Sequence, residues 1–110
     1  MLGFAGSAKI FICKEAVDLR KGFEGLSGLV ETYFTEPLTS GAYFIFLNKA
    51  RNRMKILYWD VDGLAIWFKR LEKGRFMKGT QHHDLIDRRE FLMLLEGVTP
   101  KRLHNRFRIC

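Results

Sequence analysis

The sequence predicts an α+β fold: an antiparallel β-meander sheet of at least three strands, with four or five expected, and two helices packed on one face. Three apolar runs of strand length follow one another at residues 42–47, 54–59 and 64–69, separated by short polar segments. Two segments with apolar residues at helical spacing flank these runs. The chain has 110 residues, of which 47% are hydrophobic, so a single domain is expected over residues 1–110.

The first part of the chain predicts a strand followed by a helix. Residues 8–13 (AKIFIC) are rich in the β-branched and aromatic side chains that strands favour. From Leu19 to Tyr33, apolar residues recur at spacings of four and three, which is one face of a helix. Asp18 stands where an N-cap residue would satisfy free backbone N–H groups, so we expect it to cap this helix.

The three central runs predict the meander itself. Residues 42–47 (AYFIFL) are apolar at every position, which indicates a central strand covered on both faces. A basic loop, Asn48–Arg53, connects this strand to the second, and the turn Asp60–Gly63 connects the second to the third. The Asp62-Gly63 dipeptide accepts positive φ, which such a turn requires.

A second helix is expected near the C-terminus. The segment Asp87–Glu90 has the form of a capping box and opens an apolar run. A glycine and a proline follow this run, so the helix is predicted over about 88–96. Residues 100–110 are basic and are expected to form a C-terminal arm or a short added strand.

Positive charge is concentrated in the middle of the chain. The net charge is +7, and residues 49–78 hold nine Lys and Arg against three Asp and Glu. Clustered positive charge favours a polyanionic partner, because neutralised phosphates release condensed counterions. The alternative is a basic surface that only maintains solubility. We favour a nucleic-acid or nucleoprotein partner.

Three basic groups are the candidate nucleic-acid contacts. Exposed cations suit phosphate contacts, which position a protein on DNA without reading its sequence. One group lies in the expected hairpin loop, and another lies in the first turn of the expected first helix, where free backbone N–H groups would add to an anion site. The third follows the last meander strand, where Phe76 is expected to be a core anchor. The candidates are Arg20 and Lys21; Lys49, Arg51 and Arg53; and Lys69, Arg70, Lys73 and Arg75.

No motif in the sequence warrants an active site, a metal site or a cofactor. Asp60 and Asp62 flank a turn, where Asp is favoured for local hydrogen bonds, so a metal-dependent nuclease using them is the less favoured alternative. His82 and His83 lack the ligand spacing of the usual zinc sites. We therefore expect a protein without catalysis and without a cofactor.

The cysteines and the hydropathy pattern bear on location. Cys13 and Cys110 have no CxxC spacing and are expected to be free thiols of a reducing compartment, with a disulfide between them the weaker alternative. No uncharged run approaches the roughly 18–20 residues that cross a bilayer. A cytoplasmic protein without a membrane partner is expected, and the oligomeric state stays open.

Three segments, in order, match a known pattern. They are residues 17–26 (VDLRKGFEGL), 54–64 (MKILYWDVDGL) and 68–76 (FKRLEKGRF), followed by LLEG at 94–97. Together they resemble the small TnpB-type (Orf2-like) accessory protein of the sixty-six family of bacterial insertion sequences, over roughly residues 9–98. Many relatives have a Trp/Pro-rich stretch where this chain has residues 77–84, which puts in doubt any partner contact made there.

The resemblance implies a product encoded beside a separate, larger transposase that has the catalytic carboxylates. It implies an accessory role in transposition, with the transposase of the same element as an expected partner. Together with the uneven charge, it makes element-end DNA the other expected partner. The alternative is a protein-interaction subunit that binds the transposase without contacting DNA. The positions shared with the family are Asp18, Arg20, Lys21, Gly22, Trp59, Asp60, Gly63, Lys69, Arg70, Gly74, Arg75 and Phe76.

Overall fold

The computed structural model of the chain describes residues 8–76 and 84–96. The expected C-terminal arm at 100–110, His82 and His83, and Cys110 lie outside these residues. The elements in chain order are β1 (Ile10–Ile12), α1 (Phe23–Tyr33), β2 (Tyr43–Leu47), β3 (Arg53–Asp60), β4 (Gly63–Arg70), β5 (Asp84–Ile86) and α2 (Arg88–Glu96), with a short 3-10 helix at Leu38–Ser40 before β2.

The strands form one sheet in the order β4-β3-β2-β1-β5. Strands β2, β3 and β4 pair antiparallel, which confirms the predicted meander. Strand β1, in contrast, pairs parallel with β2 and antiparallel with β5, so the sheet is mixed and not wholly antiparallel as expected. Parallel neighbours need a long crossover connection, and the segment containing α1 provides it between β1 and β2.

The two helices lie against opposite faces of the sheet, so the expectation that both pack on one face is wrong. Phe44 of β2 belongs to a buried cluster with Leu26 and Val30 of α1. Its neighbour Tyr43 points to the other face, where its ring stacks 6.3 Å from that of Phe91 in α2. Because successive strand residues point to opposite faces, a strand that is apolar throughout needs cover on both.

Helix α1 begins later than the apolar spacing predicts. Asp18 does not cap it, because Asp18 Oδ1 accepts a hydrogen bond from the Arg20 backbone N–H at 3.0 Å. Such a local side-chain bond offers the backbone an alternative to helix. Gly22 occupies the N-cap position, and it has no side chain that could accept a capping hydrogen bond. Arg20 and Lys21 therefore precede the helix instead of lying in its first turn.

The other two predicted turn features have different outcomes. Asp87 caps α2 as expected, with its Oδ1 accepting a hydrogen bond from the Glu90 backbone N–H at 2.7 Å. In the β3–β4 hairpin, however, the positive φ falls on Val61, at 57°, and not on the Asp62-Gly63 dipeptide. Gly63 is instead the first residue of β4, paired with Asp60, which makes Val61 the first loop residue and the one that must bend the chain.

Candidate nucleic-acid interface

One end of the sheet brings the three basic groups together. Strands β1, β2 and β4 end there and β3 begins there, so three connecting segments meet at this end. Backbone hydrogen bonds join them: Val17 N donates to Leu47 O at 2.9 Å, Leu71 N to Asn52 O at 2.8 Å, and Phe76 N to Arg51 O at 2.6 Å. We call this surface the basic end; its residues are 14–21, 48–55 and 68–76.

Asn48 organises the loop at the centre of the basic end. Its Oδ1 accepts hydrogen bonds from the backbone N–H groups of Asn52 and Arg53, both at 3.0 Å. Its Nδ2 donates to Asn52 Oδ1 at 2.7 Å, and its carbonyl accepts from Arg51 N at 3.0 Å. Arg51 adopts a left-handed conformation with φ at 56°. The loop therefore presents its cations from a backbone that is held in place by its own bonds.

The segment after β4 is anchored beside that loop. Phe76 is fully buried, with 0% exposure, and confirms the expected core anchor. Gly74 has a φ of 79°, a left-handed conformation that glycine adopts without steric penalty. Lys73 and Arg75, which stand on either side of Gly74, are exposed. Anchoring at Phe76 therefore places these two cations next to the loop.

Some of the candidate cations are already engaged within the protein. Arg20 Nη2 lies 2.6 Å from Asp18 Oδ2, and this hydrogen-bonded pair holds the pKa of Asp18 well below its usual range. Arg70 Nη2 lies 3.0 Å from Glu72 Oε1. Lys69 is half-buried on the face that α2 covers.

Lys69 Nζ donates to a carbonyl in the last turn of α2, that of Leu95, at 2.6 Å. Within the part of the chain that the structure describes, the remaining basic side chains of the loop and of the segment after β4 make no ion pair. These unpaired cations are Lys49, Arg51, Arg53, Lys73 and Arg75.

An open groove of about 790 Å³ lies between the first two basic groups. It is lined by residues 16–20, by residues 48–50, and by Arg53 and Phe68. Phe68 is 53% exposed, and Lys55 Nζ stands over its ring at 5.4 Å from the centroid. Phe68 could not be identified from the sequence, because only the pairing register shows that it lies opposite Lys55 on the α1 face of β4. The groove thus combines cations with an accessible aromatic ring.

The acidic and cysteine side chains considered in the sequence do not form a metal or catalytic site within the described residues. Among the described residues, no three His, Cys, Asp or Glu side chains are arranged to hold a metal ion. Asp60 and Asp62 are exposed at the far end of the β3–β4 hairpin. Cys13 is a buried free thiol, and burial raises its pKa, which disfavours the reactive thiolate. Neither described helix has the length and apolar character that crossing a membrane requires.

Comparison with known proteins gives the family. A protein of Sinorhizobium fredii named uncharacterized protein y4jC is 30% identical over 103 residues, covering 89% of this chain and 86% of its own length. Another from that organism, uncharacterized protein y4hO, is 27% identical over 77 residues, covering 70% of this chain and 67% of its own. No solved structure is a significant match. Residues 8–105 match the family described as IS66 Orf2 like protein, and the chain therefore belongs to that family of insertion-sequence proteins.

Proposed function

We propose that this protein is a non-catalytic accessory factor of insertion-sequence transposition that binds DNA, or the transposase–DNA complex, through the basic end. Membership of the IS66 Orf2-like family supports the accessory role. The observation that supports DNA contact is the meeting of three basic segments on one hydrogen-bonded surface. The backbone of these segments is already held by hydrogen bonds, so binding a phosphate backbone does not have to order the loops, which would cost free energy.

The five unpaired cations are the central contacts in this proposal. Lys21, which makes no ion pair within the described residues, can join them. Arg20 and Arg70 can also join them, because an exposed ion pair such as Arg20–Asp18 contributes little and can exchange its carboxylate for a phosphate. Lys69 has a structural role instead, since its ammonium is bonded to α2 on the other face of the sheet. Contacts of this kind fix position on DNA but do not read base sequence.

The test is DNA binding of the double variant Arg51→Gln/Arg53→Gln over a salt series. Glutamine keeps most of each side-chain stem and removes only the charge. Loss of two phosphate contacts should reduce the slope of log K against log salt by about 2, similarly for element-end and unrelated duplexes. Unchanged affinity and slope in this variant would contradict the placement of the interface.

Arg88→Gln/Arg89→Gln is the matched control. It removes the same charge from the start of α2, which lies at the opposite end of the sheet because Ile86 of β5 pairs with Ile10. We expect the control to keep the wild-type slope. Equal losses in the two double variants would mean that DNA responds to net charge alone and that the basic end is not the interface.

The alternative is a subunit that binds the transposase without touching DNA. Exposed large apolar side chains away from the loop favour it, among them Leu85 on the edge strand β5 and Leu92 on α2. Burying apolar side chains against a protein partner is favourable, since the hydrophobic effect drives most protein association. Co-purification with the transposase in high salt, with no binding of wild-type protein to DNA even at low salt, would support this function over the first.

A further inference from the structure

Phe68 gives the groove a feature that phosphate binding does not need. A cluster of cations is sufficient to hold a DNA backbone, yet this groove also has a half-exposed aromatic ring. The ring lies on the α1 face of β4, directly opposite Lys55 of β3. Aromatic side chains among cations are the common arrangement of single-strand-binding surfaces, because every nucleobase has a face that can stack.

We propose that the groove binds a single-stranded DNA segment, with one base stacked on Phe68 and adjacent phosphates held by Lys49 and Arg53. The proposal deepens the proposed function, on which it rests for the presence of DNA, and adds the form of DNA that is recognised. In duplex DNA the faces of the bases are buried in the stack. A duplex can therefore bind the cations through its phosphates, but it has no accessible base face for Phe68.

The Phe68 ring has an ordered cation beside it. Lys55 Nζ stands over the ring and at the same time donates to the backbone carbonyl of Lys21 at 2.9 Å. This link ties β3 to the segment before α1 and orders the Lys55 ammonium. An ordered cation beside an aromatic ring is attractive to the ring and to a nearby phosphate alike. The arrangement therefore orients Phe68 while leaving it about half exposed.

The charge lining the groove is favourable for an anionic strand. Its acidic member, Asp18, is neutralised locally by Arg20, whose guanidinium donates to both carboxylate oxygens. Lys49 and Arg53 line the groove and make no ion pair within the described residues. Its volume of about 790 Å³ is in the range of roughly 300–1,000 Å³ found for ligand pockets, which is sufficient for a splayed nucleotide.

The test uses Phe68→Leu and two fluorescent probes, a single-stranded oligothymidylate and a duplex of equal length. Stacking contributes about 1–3 kcal/mol per base, so affinity for the oligothymidylate should fall roughly 5- to 150-fold. Affinity for the duplex should stay within about twofold of wild type. Phe68→Trp should retain or strengthen single-strand binding, because the larger ring still stacks.

Tyr33→Leu is the control for loss of an exposed aromatic elsewhere. Tyr33 is the last residue of α1, on the α1 face but outside the groove, so its replacement should leave both affinities unchanged. Circular dichroism of each variant establishes that the fold is retained.

The outcomes separate the two proposals. Duplex binding that depends on Arg51 and Arg53, together with an oligothymidylate affinity that Phe68→Leu leaves unchanged, overturns the single-strand site and keeps the proposed function. If Phe68→Leu loses affinity equally for the oligothymidylate and the duplex, the single-strand site is also overturned. No binding of either probe by the wild-type protein at low salt overturns both.

Discussion

At the scale of single residues, Asn48 holds the loop at the centre of the basic end in shape. Its side chain makes three hydrogen bonds across the loop, to the backbone N–H groups of Asn52 and Arg53 and to the Asn52 side chain. For the three bonds, a net contribution of about 0.5–1.5 kcal/mol per bond predicts that Asn48→Ala lowers the free energy of unfolding by roughly 1.5–4.5 kcal/mol. Denaturant titration measures this loss.

Asn48→Asp is the informative companion variant. The carboxylate retains the acceptor for the two backbone N–H groups, and a rotated Asn52 amide can donate to it. We therefore expect a smaller loss of stability than for Asn48→Ala. Equal stability of Asn48→Ala and wild type would mean that the loop is not held by this side chain.

Val61 is a second residue with a measurable consequence. It adopts a φ of 57° at the hairpin tip and is 90% exposed, so a β-branched side chain is held in a left-handed conformation without any packing gain. Val61→Asn should raise the free energy of unfolding by about 1 kcal/mol, because asparagine tolerates this conformation. Val61→Ile keeps the branched carbon and should give no gain; a gain of the same size there would point to a cause other than the backbone.

At the scale of elements, Lys69 joins the end of β4 to the end of α2. A cation at a helix C-terminus is favourable, and here its ammonium also donates to the Leu95 carbonyl at 2.6 Å. Lys69→Met should lower the free energy of unfolding by about 1–3 kcal/mol and speed hydrogen exchange in α2, with an unchanged salt slope for DNA.

Lys73→Met is the control for that variant, since it removes an exposed cation of the basic end. It should leave stability nearly unchanged and reduce the salt slope by about 1. A reversal of the two results would return Lys69 to the interface, where the sequence alone had suggested it.

Several positions of the motifs quoted for the family resemblance have roles in forming these elements. Trp59 Nε1 donates to the carbonyl of Val61 at 3.2 Å, closing the hairpin tip. Asp18 pairs with Arg20 before α1, Gly74 bends the segment after β4, and Phe76 anchors it. Asp18, Gly74 and Phe76 therefore shape the basic end, whereas Trp59 closes the hairpin tip at the opposite end of the sheet.

At the scale of the whole molecule, the basic end and the acidic β3–β4 hairpin tip lie far apart along the sheet. The basic end lies at one end of β3, and Asp60 and Asp62 lie at the other, about 23 Å away at a strand rise of ~3.3 Å per residue. The described part extends over 42 × 28 × 25 Å, which exceeds the Debye length of about 8 Å in physiological salt. The position of a charged residue should therefore affect DNA binding more than the net charge of the protein does.

Two variants that each remove one acidic charge test this separation. Asp18→Asn, in the groove, releases Arg20 and should tighten DNA binding and steepen its salt dependence. Asp62→Asn, at the far tip, should have little effect at 0.15 M salt and become visible only near 0.01 M, where the Debye length reaches about 30 Å. Equal effects of the two at physiological salt would contradict the charge separation.

The features that were predictable from the sequence are those that local interactions control. The three meander strands follow from apolar runs of strand length, and the bounds of α2 with its Asp87 cap follow from apolar spacing and capping within a few residues. The burial of Phe76 was also predicted, because an aromatic residue among cations is more often a core anchor. The family also follows from the sequence, since its motifs are ordered along the chain. Short-range hydrogen bonds and side-chain periodicity are sufficient to specify such features.

How these elements meet depends on tertiary contacts. The parallel insertion of β1, the edge strand β5 and the helices on opposite faces depend on contacts between residues distant in sequence. The pairing register likewise places Phe68 beside Lys55 on the α1 face of the sheet and Lys69 on the α2 face, because a shift of one residue exchanges the two faces of a strand. The cationic residues can be identified from the sequence, whereas the fold determines which of them lie on one surface.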